Sequence, residues 1–194
     1  MEYLSNRLTD YILKKGAIQE ENYDVYQYGF QCFLEISISV ICSIIIGLSL
    51  DMMLECILFF LFFIPMRSYS GGIHMETYFA CLFFSCIILI STLLAVKYLA
   101  IPSIISFLIY LICIITIKLI GPVNHPNREV DSQENRLFIK RTDVTLFLSL
   151  VIAVVFILTN NARYIFLQSI VFLFIFITSL AGKIKYYKNL SPND

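Results

Sequence analysis

Long apolar blocks broken by short polar stretches set the pattern of this chain. A bilayer core about 30 Å thick is crossed by roughly 20 apolar residues of helix. On that measure six spans are predicted, at about 31–50, 52–66, 77–96, 101–120, 143–160 and 162–181. The second is the shortest and has room for little tilt or for a partly re-entrant course. Asp51 separates the first two spans, VKYLAIP the third and fourth, and TNNAR the fifth and sixth, so these three connections are tight turns. The connections around 67–76 and 121–142 are longer and polar, as is the C-terminal tail.

The first 30 residues, MEYLSNRLTDYILKKGAIQEENYDVYQYGF, break the pattern. They are polar and mixed in charge, without the apolar stretch and small-residue cleavage site of a signal peptide. Leu4, Leu8, Tyr11 and Ile12 fall near helical spacing, which predicts an N-terminal amphipathic helix, interfacial or packed on the protein. The expected fold is therefore an all-α integral membrane protein of about six transmembrane helices. It forms a single polytopic domain over 1–194: an amphipathic segment at 1–30, membrane helices at 31–182 and a basic tail at 183–194. No internal repeat or low-complexity tract interrupts it.

Composition agrees. Hydrophobic residues make up 59% of the 194 and charged residues 14%, against about 25% charged in soluble domains. Net charge is zero, so nothing points to a nucleic-acid partner. Placement of the cations is more telling. Twelve of the fourteen Lys and Arg residues fall on one side of the predicted membrane and only Lys97 and Arg163 on the other. The positive-inside rule then puts both termini and the 67–76 and 121–142 loops in the cytoplasm. Glu35 and Glu55 fall inside or at the rim of spans, where carboxylates are expensive. Glu55 is placed to snorkel to the outer face, and Glu35 lies near the inner one.

The six cysteines (Cys32, Cys42, Cys56, Cys81, Cys86 and Cys113) lie mostly within apolar runs and form no CxxC pair. That argues against a disulfide framework or a structural zinc site, and no HExxH motif is present. No metal and no cofactor is expected.

The chemistry gathers in MRSYSGGIHMETYFACLFFSC, residues 66–86. A cysteine becomes a nucleophile when a base takes its proton, and histidine suits that task near neutral pH. His74 and Cys81, seven apart, would share a face of one continuous helix, yet rise about 10.5 Å along it, too far for a hydrogen bond. The pair works only if the chain breaks before the helix and folds His74 back. Gly71 and Gly72 permit such a break and leave amide groups open near a helix N-terminus for an oxyanion. Arg67 adds a fixed positive charge able to bind a carboxylate or the oxyanion. The plainer reading makes His74 a loop residue, Arg67 a lipid-phosphate anchor and Cys81 helix packing. Glu76 is an i+2 neighbour of His74 and could join it only from an irregular loop. His125, beside Pro126, reads as a solvated turn residue.

The stretch RSYSGGIHMETYFAC resembles the signature of the accessory gene regulator B (AgrB) family of membrane cysteine endopeptidases, through Arg67, Gly71, Gly72, His74 and Cys81. GPVNHPNREV at 121–130 and EENYDVYQYGF before the first span are also similar to that family's pattern. The resemblance implies a multi-pass protein of the bacterial cell membrane that processes an AgrD-like autoinducer propeptide for quorum sensing. It implies Cys81 as nucleophile and His74 as general base and acid, with Arg67, Gly71 and Gly72 positioning the oxyanion or substrate. The C-terminal tail would be cut off through an acyl-enzyme thioester, and the retained fragment closed to a thiolactone or lactone. The expected partners are that propeptide and the lipid bilayer; a homodimer is left open, as is export of the product. The alternative is a non-catalytic membrane transporter or peptide-export subunit, for which only Glu35 and Glu55 offer an ion-coupled route.

Overall fold

The computed structural model describes residues 2–72, 77–123 and 131–190. Within them the chain is helical throughout: α1 (Glu2–Lys14), a short 3₁₀ turn (Glu20–Asn22), α2 (Tyr23–Ser49), α3 (Met53–Ser70), α4 (Tyr78–Tyr98), α5 (Ser103–Ile120), α6 (Ser132–Leu158) and α7 (Ala162–Leu190). Six of these, α2 to α7, are long and apolar enough to cross a membrane. In lipid a backbone must satisfy its own polar groups, and a helix does so within one segment. The chain is a multi-pass membrane protein.

The helices outrun the predicted spans. α2 begins at Tyr23 instead of 31, α3 continues to Ser70, α6 starts at Ser132 inside the predicted 121–142 loop, and α7 reaches Leu190. Hydropathy marks only the length that lipid covers, whereas intrahelical hydrogen bonds carry on past the interface. At 18 residues, and about 1.5 Å of rise each, α3 is long enough to span, so the re-entrant course is not needed. Pro65 lies inside it and removes one helical donor.

α7 is the central helix: 61% of its membrane window is buried, against 6% for α2 at the periphery. It packs against α3, α4, α5 and α6, with Ile165, Leu167, Val171, Phe172 and Ile175 fully enclosed. Phe172 meets Tyr110 of α5 edge-on at 5.0 Å and Phe62 of α3 at 6.3 Å. A polar tie runs through the same core. The Tyr110 hydroxyl lies 2.7 Å from Ser149 Oγ on α6, and Gln168 of α7 donates to the Ser149 carbonyl at 2.8 Å. Such interhelical bonds are worth about 0.6–2 kcal/mol in membranes.

α1 packs against α2, with Ser5 and Thr9 buried and Leu4, Leu8 and Tyr11 exposed. Leu4, Leu8 and Tyr11 therefore face away from the protein, while Ile12 is half-buried. Tyr23 of α2 donates to Asp10 Oδ1 at 2.9 Å, tying the two helices.

The three tight turns lie where the sequence puts them. Asp51 and Asn160 take positive φ of 56° and 58° at the α2–α3 and α6–α7 turns. At this end of the bundle Lys97 donates to the Leu50 carbonyl at 2.8 Å, and Arg163 pairs with Glu55 at 2.7 Å. Glu55 does not snorkel outward; it is buried and neutralised by a cation from α7. The other end, called here the terminal end, carries the start of α2, the C-terminal part of α7 and both longer connections.

Candidate functional site

The residues singled out between 67 and 81 lie at the terminal end, between α3 and α4. α3 ends because Gly71 leaves the helix at φ 72°, ψ −149°, a combination essentially reserved for glycine. Gly72 follows at φ 138°. Arg67, in the last turn of α3, folds its guanidinium back to donate to the Gly71 carbonyl at 3.0 Å. A Cβ on Gly72 would overlap that guanidinium and press on the Thr178 carbonyl of α7 at 3.3 Å. A Cβ on Gly71 would overlap the carbonyl of Val123.

The last contact shows what the glycines do locally. Val123 donates its N–H to the Ser70 carbonyl at 2.9 Å, and Gly71 and Val123 form an isolated parallel bridge. The stretch after α5 is thus laid against the stretch after α3. Lys183 of α7 fixes it further by donating to the Ile120 carbonyl at 2.8 Å. Arg141 of α6 stacks over the Tyr69 ring at 5.5 Å. Gly71 and Gly72 are therefore held by backbone and guanidinium contacts from three other parts of the chain.

His74 and Glu76 lie outside the described residues, and so do His125 and Pro126 in the second loop. The described chain resumes at Thr77, which caps α4 in an extended conformation; its hydroxyl accepts from the Ala80 N–H at 3.4 Å. Threonine is a favoured residue there because it satisfies an orphan donor of the first turn. Cys81 N–H donates to the Thr77 carbonyl at 3.1 Å, so Cys81 stands on the first turn of α4. Its side chain is exposed, and it is the only cysteine of the six that is. Cys56 and Cys113 are buried, and Cys32, Cys42 and Cys86 are half-buried. Arg67, Gly71, Gly72 and Cys81 are thus brought to one end of the bundle, on either side of the four residues that include His74.

Three contributors escaped the sequence reading. Val123 and Thr178 act through their backbones, which no residue type announces. Tyr78, three residues before Cys81, donates its hydroxyl to the Glu35 carbonyl of α2 at 2.7 Å and lies 3.3 Å from Ser39 Oγ. An aromatic with a polar tip at a helix mouth was the available signal.

A family model described as accessory gene regulator B matches residues 5–181. An AgrB-like protein of Clostridium perfringens strain SM101 is 31% identical over 88 residues, covering 45% of this chain and 41% of that protein. A second, from strain 13 of the same species, is 28% identical over 88 residues. The matched segment thus spans about two-fifths of the length of these two relatives. An AgrB-like protein of Lactiplantibacillus plantarum is 24% identical over 185 residues, covering 92% of this chain and 90% of that protein. All three carry that name by likeness. No solved structure matches the chain.

Proposed function

This chain belongs to the accessory gene regulator B family, and from that premise we propose that it is a membrane cysteine endopeptidase acting on an AgrD-like autoinducer propeptide. Family membership supports a role in autoinducer peptide processing; the chemistry is assigned here from the chain's own residues. In this reading His74 takes the proton of the Cys81 thiol, and the thiolate attacks the scissile carbonyl. The oxyanion is met by the backbone around Gly71 and Gly72, which Arg67 holds in place. His74 returns its proton to the leaving nitrogen, the C–N bond breaks, and the tail departs as a free amine. The retained fragment stays on Cys81 as a thioester. A cysteine or serine side chain within that fragment then attacks the thioester, closing a thiolactone or lactone and restoring the Cys81 thiol.

The observation that carries this reading is the exposure of Cys81 on the first turn of α4, alone among the six cysteines. A reactive thiol has to be reachable, whereas a packing cysteine is enclosed. The asymmetry of the cations supports a cytoplasmic terminal end, which is where a newly made propeptide meets the membrane. The test is direct. Membranes holding the protein are mixed with a candidate propeptide and assayed for the tail fragment and a hydroxylamine-sensitive adduct. Cys81→Ser and His74→Ala should abolish the tail fragment. Cleavage that survives Cys81→Ser would sink the peptidase reading and favour the transporter alternative.

A further inference from the structure

A cavity of about 650 Å³ opens between α2, α3 and α4 on the side of the bundle that α7 does not fill. That volume falls in the range of about 300–1,000 Å³ typical of ligand pockets. Its floor is Cys56 and Phe59, both buried, and Phe59 stacks on Phe63 at 5.1 Å. Its walls are mostly apolar, but a file of polar groups runs along them: Glu35, Ser39 and Ser43 on α2, and Tyr78 and Ser85 on α4. Among the described residues lining it, Glu35 is the single charged one. One carboxylate oxygen accepts from Gln31 at 3.1 Å. Ser39 and Ser43 donate to the Glu35 and Ser39 carbonyls, at 2.9 and 2.8 Å, which leaves both hydroxyls acceptor capacity, Ser39 with the Tyr78 hydroxyl 3.3 Å away.

The position of this cavity relative to Cys81 matters. Tyr78, Leu82 and Ser85 line it, and at 3.6 residues per turn they share one face of α4. Cys81 stands about 60° round from Tyr78 on the same turn, at the edge of that face. An acyl group joined to the Cys81 sulfur therefore starts next to the α4 face that lines the cavity.

We propose that this cavity is the acyl-side substrate groove: it holds the apolar, uncharged segment of the propeptide that stays attached to Cys81 after the tail has left. The proposal rests on the peptidase reading above. Three observations select this occupant. A lipid chain has no donors, and a row of serines and a carboxylate at membrane depth repels it. A peptide segment brings backbone N–H groups that need such acceptors when they leave water. The one charge among the described lining residues is negative, which disfavours an acidic segment, and the groove lies next to the turn that carries Cys81, to which the retained part stays joined. An apolar lining beside the thioester also keeps water off, which favours attack by the fragment's own nucleophile over hydrolysis.

Filling the groove tests this in native membranes. Ser85 is exposed on the wall and one turn beyond Cys81, so Ser85→Phe occupies space without disturbing the core. Tail release is measured against propeptide concentration, beside the alkylation rate of Cys81 with a small maleimide as a check on folding and thiol access. The expected result is a KM raised about tenfold or more, the order set by removing apolar contacts from a pocket, with alkylation unchanged. Propeptides in which each apolar residue of the retained segment is cut to alanine in turn should include one that restores a near wild-type KM. Should Ser85→Phe fail to fold, Ser43→Phe from the opposite wall makes the same comparison. A KM within twofold of wild type for both variants overturns the proposal. So does loss of a co-purifying lipid with KM unchanged, which would make the cavity a lipid site. Tail release that survives Cys81→Ala overturns the peptidase reading itself, and this inference with it.

Discussion

Replacing Gly71 by alanine separates holding the fold from positioning the site. Gly71 sits at φ 72°, ψ −149°, which a residue with a side chain reaches at about 1–3 kcal/mol. The new Cβ overlaps the Val123 carbonyl, a backbone group that cannot swing aside. Relieving the overlap parts the Val123–Ser70 hydrogen bond, a further loss of about 1 kcal/mol. The tie between the two loops is thus weakened by about 2–4 kcal/mol. At about 1.4 kcal/mol per factor of ten, the ratio of closed to open arrangements falls ~30- to 1,000-fold. If that arrangement is what sets His74 against Cys81, kcat for tail release falls by up to the same factor while the helices stay folded. Gly16→Ala is the control: its φ is 71°, but a Cβ there meets nothing within 4 Å, and it lies outside the site. Tail release at saturating propeptide should therefore be near wild type for Gly16→Ala and strongly reduced for Gly71→Ala. The thermal midpoint and Cys81 alkylation serve as checks on folding. A Gly71→Ala protein with wild-type kcat would refute the idea that the paired loops position the chemistry.

Three further outcomes follow from the same geometry. In native membranes a small maleimide should label Cys81 and spare Cys56 and Cys113, each 3% exposed, until the protein is denatured; mass spectrometry of the labelled peptides reads this out. Arg163→Ala leaves the Glu55 carboxylate enclosed without its partner at 2.7 Å. It should lower stability by about 1–2 kcal/mol in detergent unfolding, less than for a fully buried pair because Arg163 is half exposed, and Glu55→Gln should soften that loss. Tyr78→Phe removes the donor to the Glu35 carbonyl and should cost about 1 kcal/mol, read as a small fall in thermal midpoint. No change there would mean that the α2–α4 contact is carried by packing alone.

How far the sequence could be read depends on which groups carry each feature. Six spans, the three tight turns and the end that gathers the cations all follow from side-chain polarity, and the structure has the helices and turns in those places. Helix ends past the interface did not follow, because residues such as those at 132–142 are polar yet still helical. Arg67 was expected to bind a carboxylate or an oxyanion, and that its guanidinium also donates to the Gly71 carbonyl was not legible. That contact needs the path of the chain, which residue type does not encode. The pairing of Gly71 with Val123 was hidden for the same reason: it joins positions 52 apart in sequence through main-chain atoms alone. The groove was hidden because Ser39, Ser43 and Ser85 look like ordinary interruptions of apolar helices until α2 and α4 are seen to face one another.

The two ends of the bundle differ in the length of their connections, and the difference bears on where chemistry can sit. At the short-turn end, side chains close the joints: Lys97 on the Leu50 carbonyl and Arg163 on Glu55. Those contacts fix helices but offer no loop to carry a reacting group. At the terminal end the longer connections are tied by backbone pairing and glycine, with Arg67 and Lys183 bound to main-chain carbonyls. Among the described residues lining the neighbouring groove, no lysine or arginine accompanies the carboxylate of Glu35. An apolar peptide carrying N–H donors is the ligand that such a charge pattern admits, and the same pattern turns away an acidic one. Exchanging that carboxylate for a cation, as in Glu35→Lys, should therefore shift preference toward anionic segments. Competition between neutral and acidic peptides for tail release would show it, and an unchanged preference would remove Glu35 from any part in selection.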